Sequence, residues 1–229
     1  MRQASEPQTT EQLSNREAII LAAERLFAEY GLHGVSLRQI NDAAGQRNTS
    51  AIQYHFGSRE ALIEAVFAHR MQQINPRREE MLAALDQSHE AKDVRALVGV
   101  LVWPSAEELR PRPEGNYYAR FLAQVAREKT PPPTHLAVGW TRTVEALMGL
   151  ISYLPREIVE VRILAAGEFC AHALATFEAN GDGGSPAFDV KVETLIDMVT
   201  AALQAPISFA SMEALQKASG KKGAKKADA

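Results

Sequence analysis

Residues 47–55 read RNTSAIQYH. They supply a guanidinium, two side-chain amides, two hydroxyls, a phenol and an imidazole. Such groups donate to phosphate oxygens or read base edges in a major groove. Ala51 is small enough to meet a thymine methyl. Ile52 and Phe56, at i and i+4, are expected to face inward as anchors. Upstream, Ser36 is placed to cap a helix, and a phosphate contact from the same hydroxyl is compatible with capping. Arg38 and Gln39 sit on the outer face of that helix, where solvation and DNA contact are equally open. Arg47, Asn48, Thr49 and Ser50 also suit an ordinary turn and cap. Tyr54 either packs on the first helix or reaches a phosphate through its hydroxyl. His55 is open between a phosphate contact and a structural hydrogen bond.

These groups work only if something holds them out from the body. The chain reads as helix almost throughout. Ala18, Ile19, Ala22, Leu26, Phe27 and Tyr30 recur at helical spacing over 15–30. Gly31 and Gly34 stop that helix. A short helix carries Leu37, Ile40, Ala43 and Ala44, and Gly45 ends it. After a polar turn, a third helix runs from about 49 to 56, and Gly57 breaks it. Ser58 caps a longer helix with Glu60 in its first turn. Two short helices joined by a tight turn near a glycine suggest a helix-turn-helix.

Over about residues 15–68 the sequence resembles the DNA-binding domain of the TetR family of bacterial transcriptional regulators. The residues carrying the resemblance are Ile20, Ala23, Leu26-Phe27, Gly31, Ser36-Leu37, Ile40 and Ala43-Ala44-Gly45. Tyr54-His55-Phe56, Ser58-Arg59-Glu60 and Leu62 complete it. The turn from Gly45 to Tyr54 is one residue longer than the family's commonest form, and Gln53 stands where a Tyr is usual. Arg59 replaces the usual Lys and keeps a positive charge for a phosphate. The resemblance implies an all-α protein: a three-helix head on a larger helical body that binds an effector and dimerises. The DNA-contacting set it implies is Ser36, Arg38, Gln39, Arg47, Asn48, Thr49, Ser50, Gln53, Tyr54, His55 and Arg59.

The rest of the chain is expected to be longer helices. They fall at about 58–87 (new or continued at Pro76), 92–102 (interrupted by Pro104), 116–128, 134–152, 155–179 and 188–204. No strand and no internal repeat emerges. The expected divisions are a disordered 1–14, the head at 15–60, the body at 61–207 and a disordered Lys-rich tail at 208–229. In the body, Trp103, Tyr117, Tyr118, Phe121 and Trp140 are candidate pocket aromatics, with core packing as the plainer alternative. Arg162 suits an anionic effector or an ion pair with Glu157 or Glu160. Glu168 and His172 share a helix face; a hydrogen-bonded pair suits them better than a metal site, so no metal and no cofactor is expected. Cys170 reads as a small buried apolar residue. The apolar, small-residue helices near 155–179 and 188–204 suit a two-fold interface, which the resemblance requires for reading a palindromic operator on double-stranded DNA.

Composition is consistent with this. There are 25 Lys and Arg against 28 Asp and Glu, a net charge of −3, so a uniformly basic nucleic-acid coat is excluded. From Arg16 to Arg70 six Arg face six acids, so attraction to DNA must come from local placement. Five Lys in 213–229 stand against Glu213 and Asp228, which suits a solvated tail or weak, sequence-blind attraction to phosphate. A single cysteine builds neither a disulfide framework nor a cysteine zinc site. No apolar run is long enough to span a membrane and no signal-like stretch opens the chain, so the cytoplasm is expected. No HExxH, phosphate loop or nucleophile elbow points to an enzyme. The competing readings are a helical-bundle small-molecule-binding protein and an interaction protein with a degenerate head.

Overall fold

A computed structural model describes residues 14–46, 48, 50–87, 93–112, 115–128 and 134–227, with side chains described at all of them except 134 and 219–227. These residues form α-helices with two short 3-10 turns and no strand. Helix α1 (Asn15–Tyr30) starts where the Glu17 N–H donates to Ser14 Oγ at 3.2 Å. It ends at Gly31, whose φ of 82° is in the left-handed region that glycine enters without a Cβ clash. Helix α2 (Leu37–Ala43) opens with a reciprocal cap. The Gln39 N–H donates to Ser36 Oγ at 3.2 Å, and the Ser36 N–H donates to Gln39 Oε1 at 2.8 Å. Gly45, at φ 67°, turns the chain toward the five-residue α3 (Ala51–His55), shorter than the expected 49–56. Ile19, Ile20, Phe27, Ile40 and Ile52 meet in one core beneath these helices.

Helix α4 (Arg59–Gln87) begins with the Ala61 N–H on Ser58 Oγ and runs unbroken through Pro76. The expected border at 60/61 therefore falls inside its first turn. Its first half (Leu62, Ile63, Val66) belongs to the head core, and Leu82 near its end belongs to the body core. Helix α5 (Val94–Glu107) is capped by Asp93 and also continues through its proline, where the sequence suggests an interruption. Pro104 lacks the N–H that would bond the Val100 carbonyl four residues back. Arg78 Nε donates to that carbonyl instead, at 3.4 Å.

Helix α6 (Tyr118–Arg127) floors the head. The Phe121 ring packs 6.3 Å from Phe27 and 5.2 Å from Phe67, centroid to centroid. Its open N-terminus is closed from across the body. Glu178 accepts from the Ala119 N–H at 2.8 Å and the Arg120 N–H at 3.1 Å. The expected helix at 134–152 divides into a 3-10 turn (Thr134–Leu136) and α7 (Val138–Leu150). Gly139 lets α7 lie close on α4, because a Cβ there would meet Glu79 Oε1 at 2.9 Å and Arg78 Cδ at 3.3 Å. Helices α8 (Arg156–Ala179) and α9 (Phe188–Gln204) complete the body core with Leu174, Val192, Ile196 and Val199.

Helix α10 (Phe209–Ala227) occupies the stretch expected to be a disordered tail. Ser208 Oγ accepts from the Ser211 N–H at 3.2 Å, and Lys217 pairs with Glu213 one turn back at 2.6 Å. Alanine, leucine, glutamine and lysine favour helix even without packing, and composition alone hides this. Phe209 is largely exposed. Among the described residues no single helix is long and apolar enough to cross a membrane. The pair formed by α9 and 209–218, bent by 58°, passes on length and composition only.

One polar feature sits inside this packing. Arg70, 2% exposed, donates Nε to Glu24 Oε2 at 2.6 Å and Nη2 to Glu24 Oε1 at 2.5 Å. Its Nη1 reaches Glu108 Oε2 at 3.3 Å, which Arg112 also approaches at 2.8 Å. The triad ties α1, α4 and the end of α5 together. The Glu24 and Glu108 carboxylates beside Arg70 more than offset its burial and raise the guanidinium above its ordinary value. Sequence spacing gives no sign of a pair made so far along the chain.

Candidate nucleic-acid interface and effector cavity

Helix α3 has two faces. Ala51 and Ile52 are buried in the head core, and the opposite side carries exposed Gln53 and Tyr54, the latter 84% exposed. His55 is half-buried and meets the Tyr54 ring edge-on, 5.0 Å between centroids. Tyr54 therefore does not pack on α1. Asn48 and Ser50 are exposed at the mouth of the helix. Asn48 Oδ1 accepts from the Ser50 N–H at 2.9 Å, an Asx turn that starts α3. Arg47 and Thr49 lie outside the described residues.

The turn is anchored by a residue that sequence patterning does not single out. Asn41 is 1% exposed and donates Nδ2 to the Asn48 carbonyl at 2.6 Å, tying α2 to the start of α3. An amide directly after buried Ile40, on the inner side of α2, is the one signal that could have found it. Arg16, equally silent in the sequence, lies over the Phe56 ring at 5.2 Å and covers the far end of α3.

On α2, Ser36 and Gln39 spend their side chains on each other in the cap and remain exposed. Arg38 is exposed and only loosely associated with Asp42, at 4.0 Å. Arg59 is differently placed from its expected role. Its Nη1 donates to the Leu32 carbonyl at 2.8 Å, and the guanidinium lies over Phe27 at 5.9 Å, so it fastens the loop after α1. At the same terminus, backbone N–H and Ser58 hydrogen bonds hold the Glu60 carboxyl below its ordinary value.

Residues 19–66 match the family model described as bacterial regulatory proteins, tetR family. Over these residues the chain is similar to the tetR family of regulators. The match extends from the middle of α1 into α4 and includes all of α2 and α3. A curated relative, the HTH-type transcriptional repressor AcnR of Corynebacterium efficiens, is 37% identical over 54 residues. That alignment covers 24% of this chain and 28% of the repressor, so it spans under a third of the relative's length. Among solved structures, a TetR family transcription regulator from Marinobacter aquaeolei VT8 is 21% identical, covering 82% of this chain and 94% of that one, with a TM-score of 0.49. The fatty acid degradation regulator FadR from Bacillus halodurans is 17% identical, covering 86% and 98%, with a TM-score of 0.45.

Below the head, the body holds a cavity of about 640 Å³, within the range of small-molecule sites. Its wall draws on α4, α5, α6, α7, α8 and α9 and is mostly apolar. Of the seven candidate ligand residues, Tyr118 and Trp140 line it. Phe121 is buried in the aromatic cluster with Phe27 and Phe67 instead. Tyr117 packs under the Arg120 guanidinium at 4.8 Å. Trp103 faces α9 and donates Nε1 to Glu193 Oε1 at 2.9 Å. Arg162 pairs with neither Glu157 nor Glu160; it donates to the Leu203 carbonyl at 2.8 Å, closing the last turn of α9. His172 is exposed, with Nδ1 at 2.8 Å from the Glu168 backbone oxygen, so the two side chains do not form a pair. Cys170 does line the cavity, and burial pushes its thiol up to about 12. Among the described residues no three His, Cys, Asp or Glu gather as a metal site.

Proposed function

We propose that the chain is a sequence-specific DNA-binding transcriptional regulator of the tetR type, a repressor released from its operator by a small-molecule effector. The observation that carries this is α3, a short helix pinned by Ile52 on one side and presenting Gln53 and Tyr54 to solvent on the other, with Asn48 and Ser50 exposed in the turn before it. It lies within a stretch that matches the tetR family model. Ser36, Arg38 and Gln39 on the start of α2 are the flanking phosphate contacts. Arg59 acts by holding the head together. The protein works in the cytoplasm, on DNA, and catalyses no reaction.

One five-residue helix gives limited affinity, so a second copy is required. Support for a homodimer comes from α8 and α9. Val161 and Leu164 on α8, and Val190 and Met198 on α9, stand more than half exposed on otherwise apolar helices. The two-fold pair places two heads on one operator. Helix α4 supplies the coupling, since one rigid element is shared by the head core and the cavity wall. An effector that prefers one tilt of α4 shifts the population of head spacings.

A gel shift on the DNA beside the protein's own gene tests the reading. Wild type retards a specific fragment at moderate salt, and Gln53→Ala with Tyr54→Phe does not. Failure of wild type to prefer any fragment over bulk competitor contradicts it.

A further inference from the structure

Two arginines are buried among the described residues, and they differ in one respect. Arg70 is held by Glu24 and Glu108. Arg78, 3% exposed, has no carboxylate within salt-bridge distance among the described residues. Its hydrogen bonds go to the Val100 carbonyl and to Asn75 Oδ1, both at 3.4 Å, at the weak end of the range. Burial pushes its guanidinium below its ordinary value, with only Tyr118 and Glu79 acting in the other direction. A buried cation without a counter-ion is costly, and proteins seldom retain one without a partner to fill the place.

Arg78 is also on the cavity wall. The other charged residues of the wall, Glu160 and Glu168, are exposed, and Glu160 is already paired with Arg156 at 2.8 Å. Around Arg78 the wall is apolar, including Val98, Val102, Leu147 and Leu174. Tyr118, buried at 2% exposure, joins Arg78 on the wall. A planar guanidinium fork and a phenol beside an apolar chamber match one chemical class. We infer that the cavity binds an amphipathic carboxylate, its head group paired with Arg78 and hydrogen-bonded by Tyr118, its apolar body filling the chamber. One guanidinium neutralises one negative charge, which favours a carboxylate over a doubly charged phosphate ester. The inference rests on the reading of this cavity as the effector site, and it assigns the effector's class.

Calorimetric titration of the full chain tests it with three probes below their micellar range: dodecanoate, dodecanol and acetate. Wild type binds dodecanoate about tenfold or more tighter than dodecanol, the span of one charge-assisted contact, and acetate not measurably. Arg78→Gln, neutral but still able to donate to Val100, binds dodecanoate and dodecanol alike. Arg78→Lys keeps the preference for the anion. Equal binding of dodecanoate and dodecanol by wild type overturns the inference, as does a carboxylate preference that survives in Arg78→Gln. Saturable binding of acetate alone, without the chain, also overturns it. The wild-type comparison stands even if the glutamine variant does not fold. A gel shift with the same probes separates the two claims. Dodecanoate that binds through Arg78 yet leaves DNA binding intact supports the anion site and contradicts the effector reading.

Discussion

Gln53 and Tyr54, the proposed DNA readers, have little structural duty, because their side chains face solvent from a helix pinned by Ile52. Substituting them, as Gln53→Ala and Tyr54→Phe, should leave the melting temperature unchanged and weaken operator binding by roughly 1–3 kcal/mol each, read by gel shift. Glu24 has the opposite character. Glu24→Ala removes the two-pronged partner of Arg70 and leaves it only the 3.3 Å contact to Glu108, so chemical denaturation should show a loss of about 3 kcal/mol. His69 adds a pH dependence. Burial, then the neighbouring Arg70, lowers its pKa below the ordinary imidazole value of 6.5, so the folded state takes up its proton less readily than the unfolded chain. Its stabilising share is full above about 6.5 and is lost as pH falls toward the folded value. Wild type should therefore lose more melting temperature between pH 7.5 and 5.5 than His69→Gln. The caps at Ser36 and Ser58 are legible in the sequence because capping is written in adjacent residues. The Arg70 triad and the unpaired Arg78 are not, since their partners, or lack of them, are settled by tertiary packing.

At the scale of elements, glycines and capping residues mark the ends of α1 and α2 where the structure has them. Pro104 misleads, because a neighbouring helix supplies the donor that the proline removes. The Lys-rich tail misleads for the converse reason: its composition looks unstructured, while its residues favour helix. Aromatic content also overstates the ligand set. Tyr117, Phe121 and Trp103 hold helices together, and only Tyr118 and Trp140 of that group reach the cavity. Helices α8 and α9 carry the association prediction. Val161→Asp combined with Met198→Asp places charge on exposed apolar positions and touches neither the core nor the cavity wall. Sedimentation should show a dimer for wild type and a monomer for the variant, and specific DNA binding should fall with it.

For the molecule as a whole, the near-neutral charge means that affinity for DNA depends on where a few side chains stand, not on an overall field. In the proposed dimer, two copies joined through the body set two α3 helices apart, and an operator must match that separation. Selection of bound duplexes from a random DNA pool measures this directly, because the protein itself picks out its site. The expected result is one enriched palindrome whose half-sites lie about 34–36 Å apart or a multiple of that, and no enrichment with the Gln53→Ala, Tyr54→Phe protein. A pool left unenriched by wild type, or the same motif recovered by the substituted protein, would contradict it.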